Sequence, residues 1–374
     1  MFLIVLYYAI ARGNTMSPLT NDSWLHVASF LKYKSLKAFS ATCRLFRQIG
    51  LQALSGNARI IQKLVQSQLA KTEYIPLPFA HASYNRPYDL TLACVQSVAA
   101  VGQFPGVRSL KILDANTSKA HFHALLASLP HLEKLYLGNL SQVTPDVLAQ
   151  CVFPPSLKSC MLLGEKACDG AVRALARQCP NLKELTLHAC KRLTIAAFSG
   201  KTPFRALGKL ELFSATISDR DLGHILSCCP NLQSLNLNHS SNITGTTLAE
   251  FEGLEFLKEL DLQGTGVSSD VFKIICLRAK CLQTLNIGFC DSISRQGYEE
   301  VVYPPKLERL FVNWGNIGNR GLQRLLDTTN LIELQLTNCT NLTEEVFDER
   351  PGLRYRPNFN FEGSTVLNVF AADY

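Results

Sequence analysis

This 374-residue chain has no nucleophile elbow, no long run of like charge and no apolar stretch of membrane length. No Gly-x-Ser-x-Gly turn occurs, and no cluster of paired carboxylates stands outside the repeats described below, so the usual marks of serine hydrolases and of carboxylate acid–base pairs are missing. The apolar segment Phe2 to Ala11 is too short to span a bilayer. It has Arg12 after it and no positive residue before it, unlike a signal peptide. Because Met16 opens a stretch that reads directly into the next motif, residues 1–15 are expected to be a leader or an over-extended start. The formal charge is +7, and its basic residues are scattered. Stretches such as Lys32-Tyr33-Lys34 and Lys191-Arg192 are too short for a nucleic-acid footprint, so neither a nucleic-acid partner nor a stable membrane span is expected.

The thirteen cysteines are an odd number and lack the spacing of a short secreted disulfide scaffold. Free cysteine packs as a small buried hydrophobe, so reduced thiols in the cytoplasm or nucleus are expected, the chain's own cell or a host's cytosol remaining open. Cys276 with Cys281, and Cys228 with Cys229, have no second ligand pair at the interval zinc requires. No metal or other cofactor is expected. Gly315, Gly318 and Gly321 imitate a phosphate loop but fall in one repeat's turn. The sequons Asn242-Ile243-Thr244 and Asn341-Leu342-Thr343 fall on turns where Asn and Thr serve local hydrogen bonding.

What is present is a period. Steps of 25 from Val107 land on Leu132, Leu157, Leu182, Leu207, Leu232, Leu257, Leu282 and Leu307, and a step of 24 reaches Leu331. Three and five residues after each start stands another apolar residue, from Leu110 and Ile112 to Leu334 and Leu336. One short strand per turn, stacked into a parallel sheet, satisfies that pattern, since no single turn buries its own face. The gap from the last strand residue to the next inward residue alternates between six, as from Leu187 to Leu193, and five, as from Leu212 to Ile217. Long-turn repeats end on Pro or Gly, as in Val152-Phe153-Pro154-Pro155, while short-turn ones carry fuller sequences, as in Asp221 to Leu226. A slight alternation in helix length is expected.

Long-turn repeats place Cys190, Ser240, Cys290 and Cys339 at their ninth position, and Cys179-Pro180-Asn181-Leu182 leads into a strand. Across about residues 100 to 350 this resembles the cysteine-containing class of leucine-rich repeats. The expected fold is α/β, a leucine-rich repeat horseshoe of about ten repeats over residues 107–353, with residues 354–374 as a C-terminal cap or tail. Residues 57–106 are expected to be a helical linker and a degenerate leading repeat, with Leu90 to Val101 as its helix.

Upstream, Trp24, Val27, Ala28 and Leu31 form one helical stripe, and Ser35 precedes a second stripe of Leu36, Phe39 and Cys43. Three short helices in so few residues cannot make a self-sufficient core. Residues 16–56 resemble the F-box, matching its pattern at Leu19, Asp22, Val27, Phe30, Leu31, Leu36, Cys43 and Phe46. Thr20 replaces the usual Pro and Phe46 the commoner Trp. Followed by cysteine-containing repeats, the segment resembles the F-box and leucine-rich repeat family. That resemblance implies a non-catalytic substrate receptor whose F-box docks on a Skp-type adaptor and, through it, a cullin. Leu19, Leu25, Val27, Phe30, Leu31, Leu36 and Phe46 would make or support the adaptor contact. The alternative is a leucine-rich-repeat scaffold or ligand binder whose N-terminal helices only cap the solenoid.

Because neighbours alternate across a strand, the third, fifth and seventh places of each repeat face solvent on the concave side. A protein substrate is expected there, on Tyr136, Met161, His188, Phe213, Asp261, Arg309 and Phe311, with Phe289 and Trp314 one step beyond. Trp, Tyr and Arg are favoured binding residues. Phe289, Phe311 and Trp314 fall on adjacent turns, and Glu184, Glu211, Glu259 and Asp261 read as an acidic strip suited to a basic segment.

Overall fold

A computed structural model describes residues 88–92, 107–114, 119–139, 143–166, 168–189, 193–198 and 204–364. The F-box-like segment, with Leu19, Leu25, Val27, Phe30, Leu31, Leu36 and Phe46, lies outside the described residues, as do Cys190 and residues 1–15.

Among the described residues twelve parallel strands, β1 to β12, form one sheet in strict chain order. They are β1 Tyr88–Leu92, β2 Val107–Asp114, β3 Lys134–Asn139, β4 Ser159–Leu163, β5 Glu184–His188, β6 Lys209–Phe213, β7 Ser234–Asn236, β8 Glu259–Asp261, β9 Thr284–Asn286, β10 Arg309–Phe311, β11 Glu333–Gln335 and β12 Phe359–Asn360. Each neighbour is one repeat away: Leu110 pairs with Leu135, Leu135 with Cys160, and so on to Leu310 with Leu334. Parallel neighbours need a crossover, which the helices on the opposite face supply. All thirty inward residues are buried, and the most exposed, Leu331, is only 7% accessible. This is a leucine-rich repeat solenoid.

The sheet outruns the expected ladder at both ends. Residues 90–92, expected to begin a helix, lie in β1, where Leu90 is registered with Leu110 and Leu92 with Ile112. The interval there is 20 residues rather than 25, which hid the strand from a search at fixed period. At the other end the ladder does not stop at Leu353, because Phe359 pairs with Leu334. Phe361 is buried, and Ser364 donates its hydroxyl to Leu336 O at 2.7 Å. Ser364 stands 25 residues after Cys339 and accepts its N–H at 3.2 Å. Arg356, exposed where other repeats begin with an aliphatic residue, disguised this turn as tail.

The alternation in helix length is close to twofold, larger than expected. After α1 (Lys119–Ala127), the long-turn repeats hold α2 Pro145–Ala149, a three-residue 3₁₀ turn at Ile195–Ala197, α5 Thr246–Glu250, α7 Arg295–Glu300 and α9 Glu345–Glu349. The short-turn repeats hold α3 Asp169–Gln178, α4 Asp219–Ser227, α6 Ser269–Arg278 and α8 Asn319–Thr328, of nine or ten residues each. A helix cut short leaves carbonyls without partners, and the next, longer helix supplies donors. Gln178 Nε2 reaches Cys151 O at 2.9 Å, Cys228 Sγ reaches Phe198 O, Arg278 reaches Ala249 O and Phe251 O, and Arg324 Nε reaches Val301 O at 2.8 Å. This reciprocity makes two repeats the structural unit.

The ninth place gives the turn its chemistry. Cys290 Sγ donates to Leu262 O, Cys339 Sγ to Val312 O and Ser240 Oγ to Leu212 O, each at 3.1 Å, and each bond joins a long-turn repeat to the short-turn one before it. The corresponding short-turn residues are Ala215, Thr265 and Gly315. At Gly315 an added Cβ would lie 2.4 Å from Val312 Cγ1, so only glycine fits. No helix among the described residues is long and apolar enough to cross a membrane.

Candidate partner-binding face

The strand face is built from residues that the sheet forces outward. In β4 and β6 burial alternates residue by residue, so Met161 and Phe213 stand half-buried beside fully buried leucines and a cysteine. From β7 to β9 the strands shorten to three residues because side chains replace the ladder. Asn238 N–H donates to Asn236 Oδ1, Gln263 N–H to Asp261 Oδ1 and Gly288 N–H to Asn286 Oδ1, at 2.9 to 3.1 Å. These bonds turn the backbone out of the sheet.

That turn has a fixed conformation which sequence reasoning missed. The eighth residue of successive repeats takes positive φ: Gly164, Ala189, Ser214, His239, Gly264, Phe289, Trp314, Asn338 and Gly363, between 49° and 68°. Gly and Asn tolerate this region, whereas a bulky side chain there costs roughly 1–2 kcal/mol. Phe289 and Trp314 accept that cost. Their backbones are held by N–H bonds to Asn313 O and Thr337 O at 2.9 and 2.8 Å. Their rings stack, with centroids 5.8 Å apart and planes 23° from parallel, yet remain 41% and 53% exposed. Gly264, the preceding residue of the same column, adds no side chain beside Phe289. Such strain is held where surrounding structure over-determines it and concentrates at functional sites.

The nine proposed substrate residues do not form one cluster. Phe289 and Trp314 meet, and Phe311 and Arg309 lie on β10 just before Trp314. Arg309 Nε donates to Thr284 Oγ1 at 2.9 Å. His188 and Phe213 form a second pair, with centroids 5.5 Å apart. Tyr136 and Met161 are registered neighbours, and Lys111 Nζ lies 4.6 Å from the Tyr136 ring centroid. Asp261 stands alone between these groups. It accepts from Asn286 Nδ2 at 3.2 Å, and burial pushes its carboxyl above the usual range.

The expected acidic strip is a network of compensated charges. Lys209 lies within it, Nζ 3.0 Å from Glu211 Oε1, and registers opposite Glu184. The bond to Glu211 raises the Lys209 pKa above its ordinary value. Glu211 accepts from Thr186 Oγ1 at 2.7 Å and Glu259 from Ser234 Oγ at 2.8 Å. Lys183, Arg205 and Lys258 line the same groove, of about 540 Å³. The strip therefore offers mixed charge rather than an open acidic surface.

One contact imitates a catalytic dyad. Cys151 Sγ lies 3.6 Å from His123 Nε2, but the sulfur is buried, donates to Val147 O at 3.2 Å, and has its pKa pushed up to about 12 by burial. A thiol so held is a poor nucleophile. Among the described residues no three His, Cys, Asp or Glu side chains gather to hold a metal ion.

The family model described as FBD-associated F-box protein At5g56370, LRR repeats, matches residues 167–251. No curated protein matches the chain. Among solved structures, it is similar to a chain of the Rad7 and Elc1 complex in yeast, with 15% identity, 92% of each chain covered and a TM-score of 0.47. It is also similar to the leucine-rich repeat-containing protein LegL7 from Legionella pneumophila, with 20% identity, 63% of this chain and 83% of that one covered, and a TM-score of 0.40.

Proposed function

We propose that this chain is a substrate receptor of a Skp/cullin/F-box ubiquitin ligase, with residues 16–56 docking on the adaptor and the strand face holding a protein substrate. One juxtaposition carries the reading: repeats matched by the model of an F-box protein's leucine-rich repeats follow a segment that resembles the F-box. The receptor is non-catalytic and works in the cytoplasm or nucleus. Its substrate contact centres on Phe289 and Trp314, whose stacked rings retain exposed area on a backbone that disfavours them, with Phe311 on the strand just before Trp314. Large, rigid aromatic side chains of this kind dominate interface energetics. Tyr136, Met161, His188, Phe213, Asp261 and Arg309 extend the contact along the sheet.

Affinity purification of the full chain from cells, read by mass spectrometry, separates the two ends. The Skp-type adaptor and a cullin are expected to accompany the native chain together with a substrate. Phe311→Ala with Trp314→Ala should release the substrate and retain the adaptor. Persistence of every partner in that variant removes the strand-face assignment, and absence of adaptor and cullin from the native preparation removes the ligase assignment.

A further inference from the structure

The helix face carries a cleft that the receptor reading does not use. It opens between the end of α4 and the long-turn repeat that follows, has a volume of about 580 Å³, and is lined by Leu226, Pro230, Phe251 and Phe256 with Glu250 and Glu255. Its origin is local. Two other long-turn repeats leave their short helix through Val152-Phe153-Pro154-Pro155 or Val302-Tyr303-Pro304-Pro305, and the last leaves through a 3₁₀ turn of its own, Pro351–Tyr355. This one runs through a 3₁₀ turn, Glu252–Phe256, in which Gly253 lets the Phe251 ring fold back over the backbone. A Cβ at that glycine would lie 2.3 Å from the ring.

Two consequences follow. Leu226 is buried and forms the floor, while Phe256 is 58% exposed at a place where three other long-turn repeats carry Ser156, Ala206 and Lys306 and the last carries the exposed Tyr355. Around this apolar cleft stand Glu250, Glu252 and Glu255, all exposed and none in an ion pair among the described residues. The nearby cation, Arg278, is occupied by the carbonyls of Ala249 and Phe251. An apolar cleft of this volume accepts a large side chain, and its unpaired carboxylates select what flanks that side chain.

We infer that this cleft is a second docking site, for a basic segment of a partner protein that inserts one Leu, Phe or Trp side chain bracketed by Lys or Arg. The site lies on the helix side, apart from the strand face. The test is selection of a random peptide library on the full chain, followed by fluorescence anisotropy of a selected peptide. Enriched sequences should carry one large apolar residue between basic ones. Their affinity should fall about tenfold in Phe256→Ser, should fall in Glu252→Lys with Glu255→Lys, and should weaken as salt rises. Because Phe256 is exposed, Phe256→Ser should melt like the native chain. The inference is overturned if no such sequence is enriched, if acidic sequences are enriched, or if Phe256→Ser binds the peptide as the native chain does. Self-association of the native chain that Phe256→Ser abolishes would also overturn it, by making a second copy the occupant.

Discussion

Phe289 and Trp314 stack on adjacent turns with centroids 5.8 Å apart, and both stand on left-handed backbone, at φ 56° and 60°. The same column holds Gly264 before them and Asn338 after them, residues suited to that conformation. The pair therefore gives up backbone stability while burying less than its full area.

Replacing Trp314 with Asn should leave stability nearly unchanged. Relief of the left-handed backbone, roughly 1–2 kcal/mol, offsets the lost ring stack, about 0.5–1.5 kcal/mol. Urea unfolding checks this. A loss well above about 2 kcal/mol would mean that the ring serves the core and not a partner.

Leu235→Asp should cost several kcal/mol. The side chain is 1% exposed, between Leu210 and Leu260 in adjacent strands, and a buried charge without a partner is severely destabilising. A variant that unfolds at the native urea midpoint would refute the register.

Cys339→Ser should be better tolerated than Cys339→Ala. Ser240 and Ser364 already make the equivalent bonds at 3.1 and 2.7 Å, whereas alanine removes the donor to Val312 O and costs about 1 kcal/mol. Equal loss in the two variants, by thermal melting, would make the ninth place a matter of volume alone.

Alkali should destabilise the repeats. Burial holds the Cys339 thiol protonated up to about 11 and those of Cys151 and Cys179 up to about 12, against an ordinary 9.0. With folded values raised, the contribution is complete below pH 9.0 and is lost as pH rises towards 11 and 12. A melting temperature that stayed flat from pH 8 to 11 would show that these thiols are not held in the protonated form.

Much of this architecture was legible because burying a leucine every 25 residues leaves one solution, a stack of parallel strands. Features without a hydrophobic signature were harder to read. β12 was hidden by Arg356, a charged residue at a position set by period rather than by burial, although Phe361 and Ser364 kept the interval. The left-handed column was hidden because Ala189, Ser214, His239, Phe289 and Trp314 interrupt a series that Gly164, Gly264, Asn338 and Gly363 otherwise mark. Lys209 stood in view, two residues before Glu211 and one repeat from Glu184, but the expected strip was drawn from its carboxylates alone and missed their neutralisation. The adjacency of Phe289 and Trp314 was fixed by their separation of one repeat, while their stacking angle depended on the turn.

The receptor account is tested most directly by mixing the purified full chain with a purified Skp-type adaptor and measuring the mass of the eluting complex. The account predicts a one-to-one complex with the native chain, and none with Leu31→Ala and Leu36→Ala combined, while the melting of the repeats is unchanged. A native chain that elutes alone, or a double variant that retains the adaptor in full, would contradict it.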